Sequence, residues 1–325
     1  MYTGSKQWFF DAKFGMMIHF GLYSIIGGEW KGRRFDYIGE WAQSYFNILN
    51  AEYRKLLRVF NPIYFDAKEW VRTAQDAGMK YIVVTSKHHD GFALYHSATN
   101  TYNCVDATPF KRDIIGELAE ACAKLNFKLG LYYSQELDWE QPHGGGYTRG
   151  HTNRGMSWTN DWDFPDNAGK DFSICFEGKI KPQVKEILTQ YGDLCLIWFD
   201  TPFDITAKQS LELYNMVKLY QPDCLINSRL GNGKCDYQSA GDNEIIADDK
   251  SGMLYEMPGT LNDTWGYKAF DTNWKTPERV IEIKRHLNER GINYLLNVGP
   301  DHLGRLPAPA VEILREVGRS GEVST

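Results

Sequence analysis

Short apolar segments recur along most of the chain, and amphipathic segments separate them. The apolar segments are rich in β-branched and aromatic residues and lack a regular polar alternation, which is typical of strands buried on both faces. They cover residues 14–20, 81–86, 128–134, 194–200, 224–228 and 294–298. Strands buried on both faces are typical of a parallel sheet, so this pattern predicts one.

The intervening segments carry apolar residues at helical spacing. Residues 112–124, for example, have apolar side chains at positions 114, 115, 118, 119 and 122, which form one face of a helix. Further helices are predicted over residues 51–60, 67–77, 181–190, 207–219, 277–290 and 309–318. Asp66 directly precedes one of them and can cap its amino terminus.

Alternation of strands and helices over about 300 residues predicts a (β/α)8-like TIM barrel, formed by a single domain over residues 1–325. Only six of the eight strands are identified, and we expect the other two within residues 232–274. A doubly wound open sheet is the structural alternative. Residues 137–171 and 232–273 form two long polar segments, which in a compact domain are usually functional or mobile loops.

The composition narrows the classes of ligand. Aromatic residues make up 14% of the chain, with 10 Trp and 19 Tyr, and aromatic faces stack on the C–H faces of sugars. The formal net charge is -6 and no dense Lys/Arg run occurs, which argues against a nucleic-acid partner. Carbohydrate is therefore the favoured ligand class, although many of these aromatic residues also fit a core.

Neither a membrane span nor a secretory signal is expected. No stretch reaches about 18 consecutive apolar residues, and the first ten residues lack a basic stretch followed by an apolar run. The six cysteines include no C-x-x-C pair, so a zinc site of that spacing is not expected. A reducing cytoplasm is the simplest location for such a chain.

Polar residues end five of the apolar segments. The carboxyl ends of barrel strands meet on one face, where the active site of such a barrel forms. The residues at these ends are His19, His88, His89, Asp90, Tyr132, Tyr133, Trp198, Asp200 and Arg229. Each one alone has an ordinary structural explanation, such as a core histidine at position 19 or a helix cap at position 200. Their convergence on one face favours catalysis, with Asp200 as the central carboxylate.

Several strings of residues resemble glycoside hydrolase family 29, the α-L-fucosidases. The most specific strings are Lys87-His88-His89-Asp90-Gly91-Phe92 and Asn262-Asp263-Thr264-Trp265-Gly266-Tyr267. Further matching segments cover residues 13–21, 40–41, 53, 60–62, 65–67, 77–81, 112–113, 130–134, 198–200 and 294–300. The resemblance extends from about residue 7 to residue 318, nearly the whole chain.

This resemblance implies retaining hydrolysis of α-L-fucosides by two carboxyl groups, with Asp200 as the nucleophile. The expected substrate is a fucosylated oligosaccharide or glycoconjugate, and no cofactor or metal is expected. The residues expected to bind the substrate are His19, Glu40, Trp41, His88, His89, Tyr133, Trp198, Arg229 and Trp265. The imidazoles and Glu40 suit the fucose hydroxyls, and the indoles suit its methyl group and apolar face.

The general acid/base is left open among three carboxyl groups. The family places this residue on a loop after the fifth strand, where the nearest candidate here is Asp242. Glu244 lies two residues further on, and Glu256 precedes the Asn262–Tyr267 string. Asp242 beside Gly241 also fits an ordinary turn.

Two other functions compete with this interpretation. One is a metal-dependent TIM-barrel hydrolase that uses His19, His88, His89 and Asp200, although their spacing matches no common ligand motif. The other is a non-catalytic fucose-binding protein. Larger family members carry a C-terminal β-sandwich, and this chain is expected to be the catalytic domain without it. The rim of the site would then be covered by residues 137–171 or by a partner subunit in a homo-oligomer.

Overall fold

A computed structural model describes residues 2–244 and 252–322 and contains eight parallel strands. In chain order, β1 to β8 are Phe14–Ile18, Tyr81–Lys87, Lys128–Tyr133, Leu196–Phe199, Leu225–Ile226, Tyr237–Ser239, Leu254–Thr260 and Ile292–Val298. Consecutive strands pair in parallel except for β5 and β6, and β1 also pairs with β8. The two strands that the sequence left unidentified, β6 and β7, lie within residues 232–274 as expected.

The sheet closes into a barrel between β5 and β6. Asn227, directly after β5, forms a parallel bridge with Tyr237. The backbone N–H of Asp236 donates to the carbonyl of Ile226 at 2.7 Å. This closure confirms the (β/α)8-like barrel, and the doubly wound open sheet is wrong.

Seven longer helices accompany the strands. α1 to α7 are Gly4–Ala12, Ala67–Asp76, Ile114–Lys124, Lys181–Gln190, Ala207–Tyr220, Pro277–Asn288 and Ala308–Glu322. Side-chain caps fix several of their starts: Asp66 accepts hydrogen bonds from two backbone N–H groups of α2, and Thr206 forms a capping box with Gln209 at α5. Six of the seven predicted helices are therefore confirmed with small differences at their ends.

Long excursions replace simple loops after β1 and β3. The excursion after β1 contains a hairpin and several short helices. The single helix predicted over residues 51–60 is wrong: a short α-helix, Asn50–Tyr53, is followed there by a 3₁₀ helix, Arg54–Arg58. The short elements are the strands Glu29–Trp30 and Arg33–Arg34, the α-helices Tyr23–Ile26, Ala42–Tyr45, Asn50–Tyr53 and Phe172–Cys175, the 3₁₀ helices Gly39–Trp41, Arg54–Arg58, Asn167–Gly169 and Ser228–Leu230, and the π-helix Phe176–Ile180. These excursions shape the carboxyl-terminal face of the barrel.

The barrel interior is a packed core of its own, distinct from the larger apolar layer between strands and helices. Aromatic side chains fill it, including Tyr81, Tyr132, Trp198 and Tyr237. Phe9 of α1 packs against Tyr237 at the opposite end from the excursions, with ring centroids 4.6 Å apart. α1 therefore closes the amino-terminal end of the barrel and leaves the carboxyl-terminal end available for a site.

Among the residues with described positions, no helix combines the length and apolar character needed to cross a membrane.

Candidate active site

A cavity of about 150 Å³ opens at the carboxyl-terminal face of the barrel. Of the thirteen residues predicted from the sequence, ten line it: His19, Glu40, Trp41, His88, His89, Trp198, Asp200, Arg229, Asp242 and Trp265. They come from the carboxyl-terminal ends of six strands, or the loops that follow them, and from the excursion after β1, as expected for an active site in this fold. Most of them are nearly inaccessible to solvent, so the inner part of the cavity is a closed-ended pocket.

Hydrogen-bond donors surround the carboxylate of Asp200 at the end of β4. Tyr132 donates its hydroxyl to Oδ2 at 2.9 Å, and Arg229 donates Nη1 to Oδ1 at 3.0 Å. His89 Nε2 lies 3.9 Å from Oδ2. Because several groups restrain both oxygens, the carboxylate is held in one orientation, which a nucleophile requires for in-line attack.

The backbone around Asp200 is also fixed. Its N–H donates to the side-chain oxygen of Gln135 at 2.7 Å, and the N–H of Thr201 donates to Oδ1 at 3.0 Å. Thr201 adopts φ 56°, a left-handed conformation that is strained for a β-branched residue. Strain of this kind is typical of functional sites, and here it directs an amide at the carboxylate.

Arg229 joins the two carboxyl groups most suited to catalysis. Its Nη1 binds Asp200, and its Nη2 binds Asp242 and the carbonyl of Ala240. The Asp242 side chain remains about half exposed, at 47% of its reference area, whereas that of Asp200 is 13% exposed. Asp242 thus lies at the rim of the cavity, close to the buried Asp200 but accessible to water.

The hydrogen bonds of two histidines determine which ring nitrogen carries the proton. His19 Nδ1 lies 2.7 Å from the side-chain oxygen of Asn297, an acceptor, so this nitrogen is protonated. His89 Nδ1 lies 2.8 Å from Ser134 Oγ, whose own proton is donated to the carbonyl of Leu137. In both rings Nε2 is therefore free to accept a hydrogen bond from a ligand hydroxyl.

Burial keeps these imidazoles neutral. It lowers the pKa of His19 to about 4, although the hydrogen bond to Asn297 and the charge of Asp200 oppose the change. Burial also lowers the pKa of His88 and His89 well below the ordinary value, and the neighbouring charge of Lys87 adds to the effect. Because the rings are neutral, Nε2 of His19 and of His89 keeps a lone pair that can accept a hydrogen bond from a sugar hydroxyl.

In the same pocket, the pKa of Glu40 is shifted in the opposite direction. Burial raises its pKa to about 8, despite a hydrogen bond of 2.7 Å from the N–H of Gly266 to Oε2. At neutral pH the side chain is therefore a neutral acid and can donate a hydrogen bond. Adjacent Trp41 packs edge-on against His89, with ring centroids 5.5 Å apart.

Aromatic rings form the remaining walls. Trp198 stacks on Tyr132 with an interplanar angle of 18°, and the guanidinium of Arg229 lies 4.7 Å from the Trp198 ring centroid. Trp265 lies beside His19, with ring centroids 5.3 Å apart. A wall that combines polar groups with indole rings suits a small sugar that has both hydroxyls and an apolar face.

The tyrosine selected from the sequence in β3 is wrong by one position. Successive side chains of a strand point to opposite faces. Tyr132 points into the barrel and binds Asp200, whereas Tyr133 points outward and donates to Gln183 Oε1 at 2.8 Å. The segment is apolar on both faces, so its sequence does not indicate which tyrosine faces the cavity.

Two of the three acid/base candidates do not line the cavity. Glu256 lies in β7 inside the barrel, fully buried below Trp198, so it cannot contact a ligand in the cavity. Glu244 is exposed and its carboxyl group lies against Gly241. Asp242 is the candidate that the structure brings next to Asp200.

Sequence reasoning missed several residues of the cavity wall, namely Met17, Tyr37, Ile38, Thr152, Trp158 and Thr201. It placed Tyr132 at a strand end but did not select it for substrate binding. Thr152 and Trp158 belong to the long segment 137–171, whose composition indicated a functional loop without indicating which residues face inward. The supporting contacts of Gln135 and Asn297 gave no separate signal.

Within residues 2–244 and 252–322, no group of three or more His, Cys, Asp or Glu side chains is arranged to hold a metal ion. His19 and His89 each use one ring nitrogen for a hydrogen bond inside the protein. The donor set proposed for a metal-dependent hydrolase is thus present in the cavity but not arranged as a ligand cluster.

The fold of the chain is similar to those of solved α-L-fucosidases. Its fold superimposes on the α-L-fucosidase AlfC from Lactobacillus casei, in complex with its α-L-fucose product, with a TM-score of 0.94. The two sequences are 54% identical, and the match covers 98% of each chain. An α-L-fucosidase from Vibrio sp. strain EJY3 is 36% identical with a TM-score of 0.92, over 98% of this chain and 55% of that one.

Sequence comparisons agree. A putative α-L-fucosidase of Caenorhabditis elegans is 30% identical over 96% of this chain, and the tissue α-L-fucosidase of Rattus norvegicus is 29% identical over 96%. The chain spans 64% and 67% of the length of these two relatives. The family model described as alpha-L-fucosidase matches residues 3–322. The chain therefore belongs to the α-L-fucosidase family.

Proposed function

We propose that this protein is a retaining α-L-fucosidase in which Asp200 is the nucleophile and Asp242 the general acid/base. The observation that carries the proposal is the arrangement around Arg229, which binds a buried and a rim carboxylate beside a closed-ended pocket of neutral imidazoles and indoles. Retaining glycosidases require two carboxyl groups on opposite sides of the scissile bond.

In the first step, a carboxylate oxygen of Asp200 attacks the anomeric carbon of fucose and forms a β-linked fucosyl-enzyme. Asp242 donates its proton to the glycosidic oxygen, so that the aglycone leaves as an alcohol. His19 and His89 accept hydrogen bonds from fucose hydroxyls at Nε2, and protonated Glu40 donates one. These contacts orient the ring relative to Asp200.

In the second step, Asp242 removes a proton from water at the rim, and the water oxygen attacks the anomeric carbon. The bond to Asp200 breaks and the carboxylate returns to the donors that held it, namely Tyr132, Arg229 and the N–H of Thr201. Two inversions give net retention of the α configuration. The exposure of Asp242 supports this role, because water must reach the base.

The relatives support a fucosylated glycan as substrate. Structures of AlfC variants are described in complex with 4-nitrophenyl-α-L-fucopyranoside and with Fucα(1,6)GlcNAc. We propose the same substrate class for this chain, and these two compounds are suitable probes. A non-catalytic fucose-binding protein is less well supported, because binding alone does not require two carboxylates on one guanidinium.

The test of the nucleophile is the Asp200→Gly variant with 4-nitrophenyl α-L-fucoside. Loss of the carboxylate removes the covalent route, and turnover should fall by about 10³-fold or more. Added azide should then attack the substrate directly and yield β-fucosyl azide, identified by NMR. Turnover near that of the wild-type protein would refute the assignment.

The acid/base role requires a different signature. Asp242→Ala should slow Fucα(1,6)GlcNAc far more than an activated aryl fucoside, because a good leaving group needs little proton transfer. Azide should intercept the fucosyl-enzyme and give α-fucosyl azide, the opposite anomer to that of Asp200→Gly. Glu244→Ala is the matched control on the same loop, and it should behave like the wild-type protein.

A further inference from the structure

Glu256 is a carboxyl group inside the barrel that the proposed reaction does not use. It is fully buried, and three donors from three different strands converge on it. Tyr81 donates its hydroxyl to Oε2 at 2.6 Å, Trp198 donates Nε1 to Oε1 at 2.9 Å, and Tyr237 lies 3.4 Å from Oε1. Most other side chains around it are apolar or aromatic, although buried Asn293, opposite Glu256 on β8, also hydrogen-bonds the Tyr81 hydroxyl.

Such a group destabilises a core unless its hydrogen bonds compensate. Burial raises the pKa of Glu256 to about 7, and the three donors together with the charge of Arg229 act against this rise. Replacing a buried ionisable group by an apolar one of similar size is often neutral or stabilising. A role in folding stability alone is therefore a weak explanation for this carboxyl group.

The geometry connects Glu256 to the site through one indole. The Trp198 indole lies between Glu256 and the cavity. Its N–H donates to Glu256, the guanidinium of Arg229 lies over the ring, and the ring stacks on Tyr132. Arg229 and Tyr132 are in turn the side chains that donate to the two oxygens of Asp200. A carboxylate at the indole N–H also polarises the ring and strengthens its attraction for the cation.

We propose that Glu256 is a positioning residue, which fixes the Trp198 indole and through it the Arg229 and Tyr132 donors that orient Asp200. The inference rests on the proposed fucosidase function. It also reassigns Glu256 from a candidate proton donor to a support of the nucleophile. Substitution of Glu256 should therefore lower kcat/KM by the same factor for every fucoside, because the nucleophile attacks the anomeric carbon whatever the leaving group.

The first measurement compares leaving groups in Glu256→Gln. We expect kcat/KM to fall by about 10-fold to 100-fold, and by the same factor for α-L-fucosyl fluoride, 4-nitrophenyl α-L-fucoside and Fucα(1,6)GlcNAc. A loss confined to the disaccharide would make Glu256 the acid/base and overturn the proposal. If the wild-type protein turns over all three compounds and Glu256→Gln has the same kcat/KM values, the fucosidase function stands and the inference fails.

A double-mutant cycle tests the route through the indole. Trp198→Phe keeps an aromatic face but removes the N–H that binds Glu256. If Glu256 acts through this bond, Glu256→Gln should cause little further loss in the Trp198→Phe background. Fully additive losses would show that Glu256 does not act through Trp198 and would overturn the proposal.

Two variants separate positioning from folding. Tyr81→Phe removes the hydrogen bond to Oε2 of Glu256 and changes no residue of the cavity wall. It should lower kcat/KM by less than Glu256→Gln does, but again by the same factor for all three substrates. This variant keeps the test valid even if Glu256→Gln folds poorly. Glu186→Gln is the matched control: its carboxylate also accepts three hydrogen bonds, from Ser97 and Thr99, but lies away from the cavity. It should leave kcat/KM unchanged. Unchanged activity in a folded Tyr81→Phe protein, or an equal loss in Glu186→Gln, would refute the proposal.

Discussion

Protonation states in the cavity follow from burial rather than from residue type. The histidines are neutral because burial lowers the pKa of His19 to about 4, whereas Glu40 is a neutral acid because burial raises its pKa to about 8. A cationic imidazole or an ionised Glu40 would offer only one kind of hydrogen bond. Neutral forms of both allow donors and acceptors to alternate around the hydroxyls of one sugar.

The lowered pKa of His19 predicts a stability change with pH. Below pH 6.5 the unfolded chain binds a proton on this imidazole, but the folded protein does not until about pH 4. The contribution of His19 is thus fully present above pH 6.5 and is lost as pH falls towards 4. The expected loss is about 3 kcal/mol, measured as the difference in free energy of unfolding between wild-type protein and His19→Asn.

His19→Asn suits this comparison because its amide can still donate to Asn297 but does not titrate. The difference between the two proteins should be constant from pH 7 to 8 and should shrink between pH 6.5 and 4. A difference that grows on acidification would mean that His19 is protonated in the folded protein.

Strands and helices were predictable from sequence to a greater extent than the loops and the site. Residues 181–190 form α4 with the predicted bounds, because the apolar spacing is regular there. β6 escaped prediction because it has only three residues, Tyr237–Ser239, and joins the barrel through neighbouring strands. The choice between Tyr132 and Tyr133 also failed, since both faces of β3 are buried. Periodicity carries no information where both faces are apolar.

The two long excursions contribute residues to the rim of the cavity, where the aglycone of a fucoside would lie. We therefore expect these residues to affect selectivity for the aglycone. Tyr37, from the excursion after β1, lines the cavity, and the guanidinium of Arg154, from the excursion after β3, lies 4.7 Å from its ring centroid. A second sugar leaving the pocket would meet this pair. Tyr37→Ala or Arg154→Ala should lower kcat/KM for Fucα(1,6)GlcNAc about tenfold, equivalent to ~1.4 kcal/mol.

α-L-Fucosyl fluoride is the control for this prediction, because fluoride is too small to reach the rim. Its kcat/KM should stay within about twofold of the wild-type value in both variants, since a substrate without an aglycone ring loses no contact. Equal losses for fluoride and disaccharide would instead place Tyr37 in the fucose pocket itself.

The whole barrel has one open and one closed end, and its chemistry lies at the open end. Within the described residues the site offers two carboxylates on one guanidinium and no metal-ligand cluster. We therefore expect dialysis against EDTA to leave kcat unchanged. Activity lost on chelation and restored by one divalent ion, measured with 4-nitrophenyl α-L-fucoside, would support the metal-dependent alternative.

The helices around the barrel also form a closed ring. The last helix, α7, packs against α2 and α6 and so closes the ring of helices around the barrel. Gly318 of α7 lies against the carbonyl of Asp76 at the end of α2, so closely that a Cβ atom would overlap that oxygen. Backbone cannot move aside as a flexible side chain can, so a methyl group must push the two helices apart.

Gly318→Ala should therefore lower the free energy of unfolding by about 1–3 kcal/mol, although alanine is the better helix former. Gly178→Ala is the matched control, because Gly178 is also helical but has open space where its Cβ would lie. That variant should be neutral or more stable by up to ~1 kcal/mol. Both folded variants should keep wild-type kcat/KM, since α2 ends at the face opposite the cavity. Denaturant unfolding and kinetics on the same preparations test both statements, and a loss of activity without a loss of stability in Gly318→Ala would contradict them.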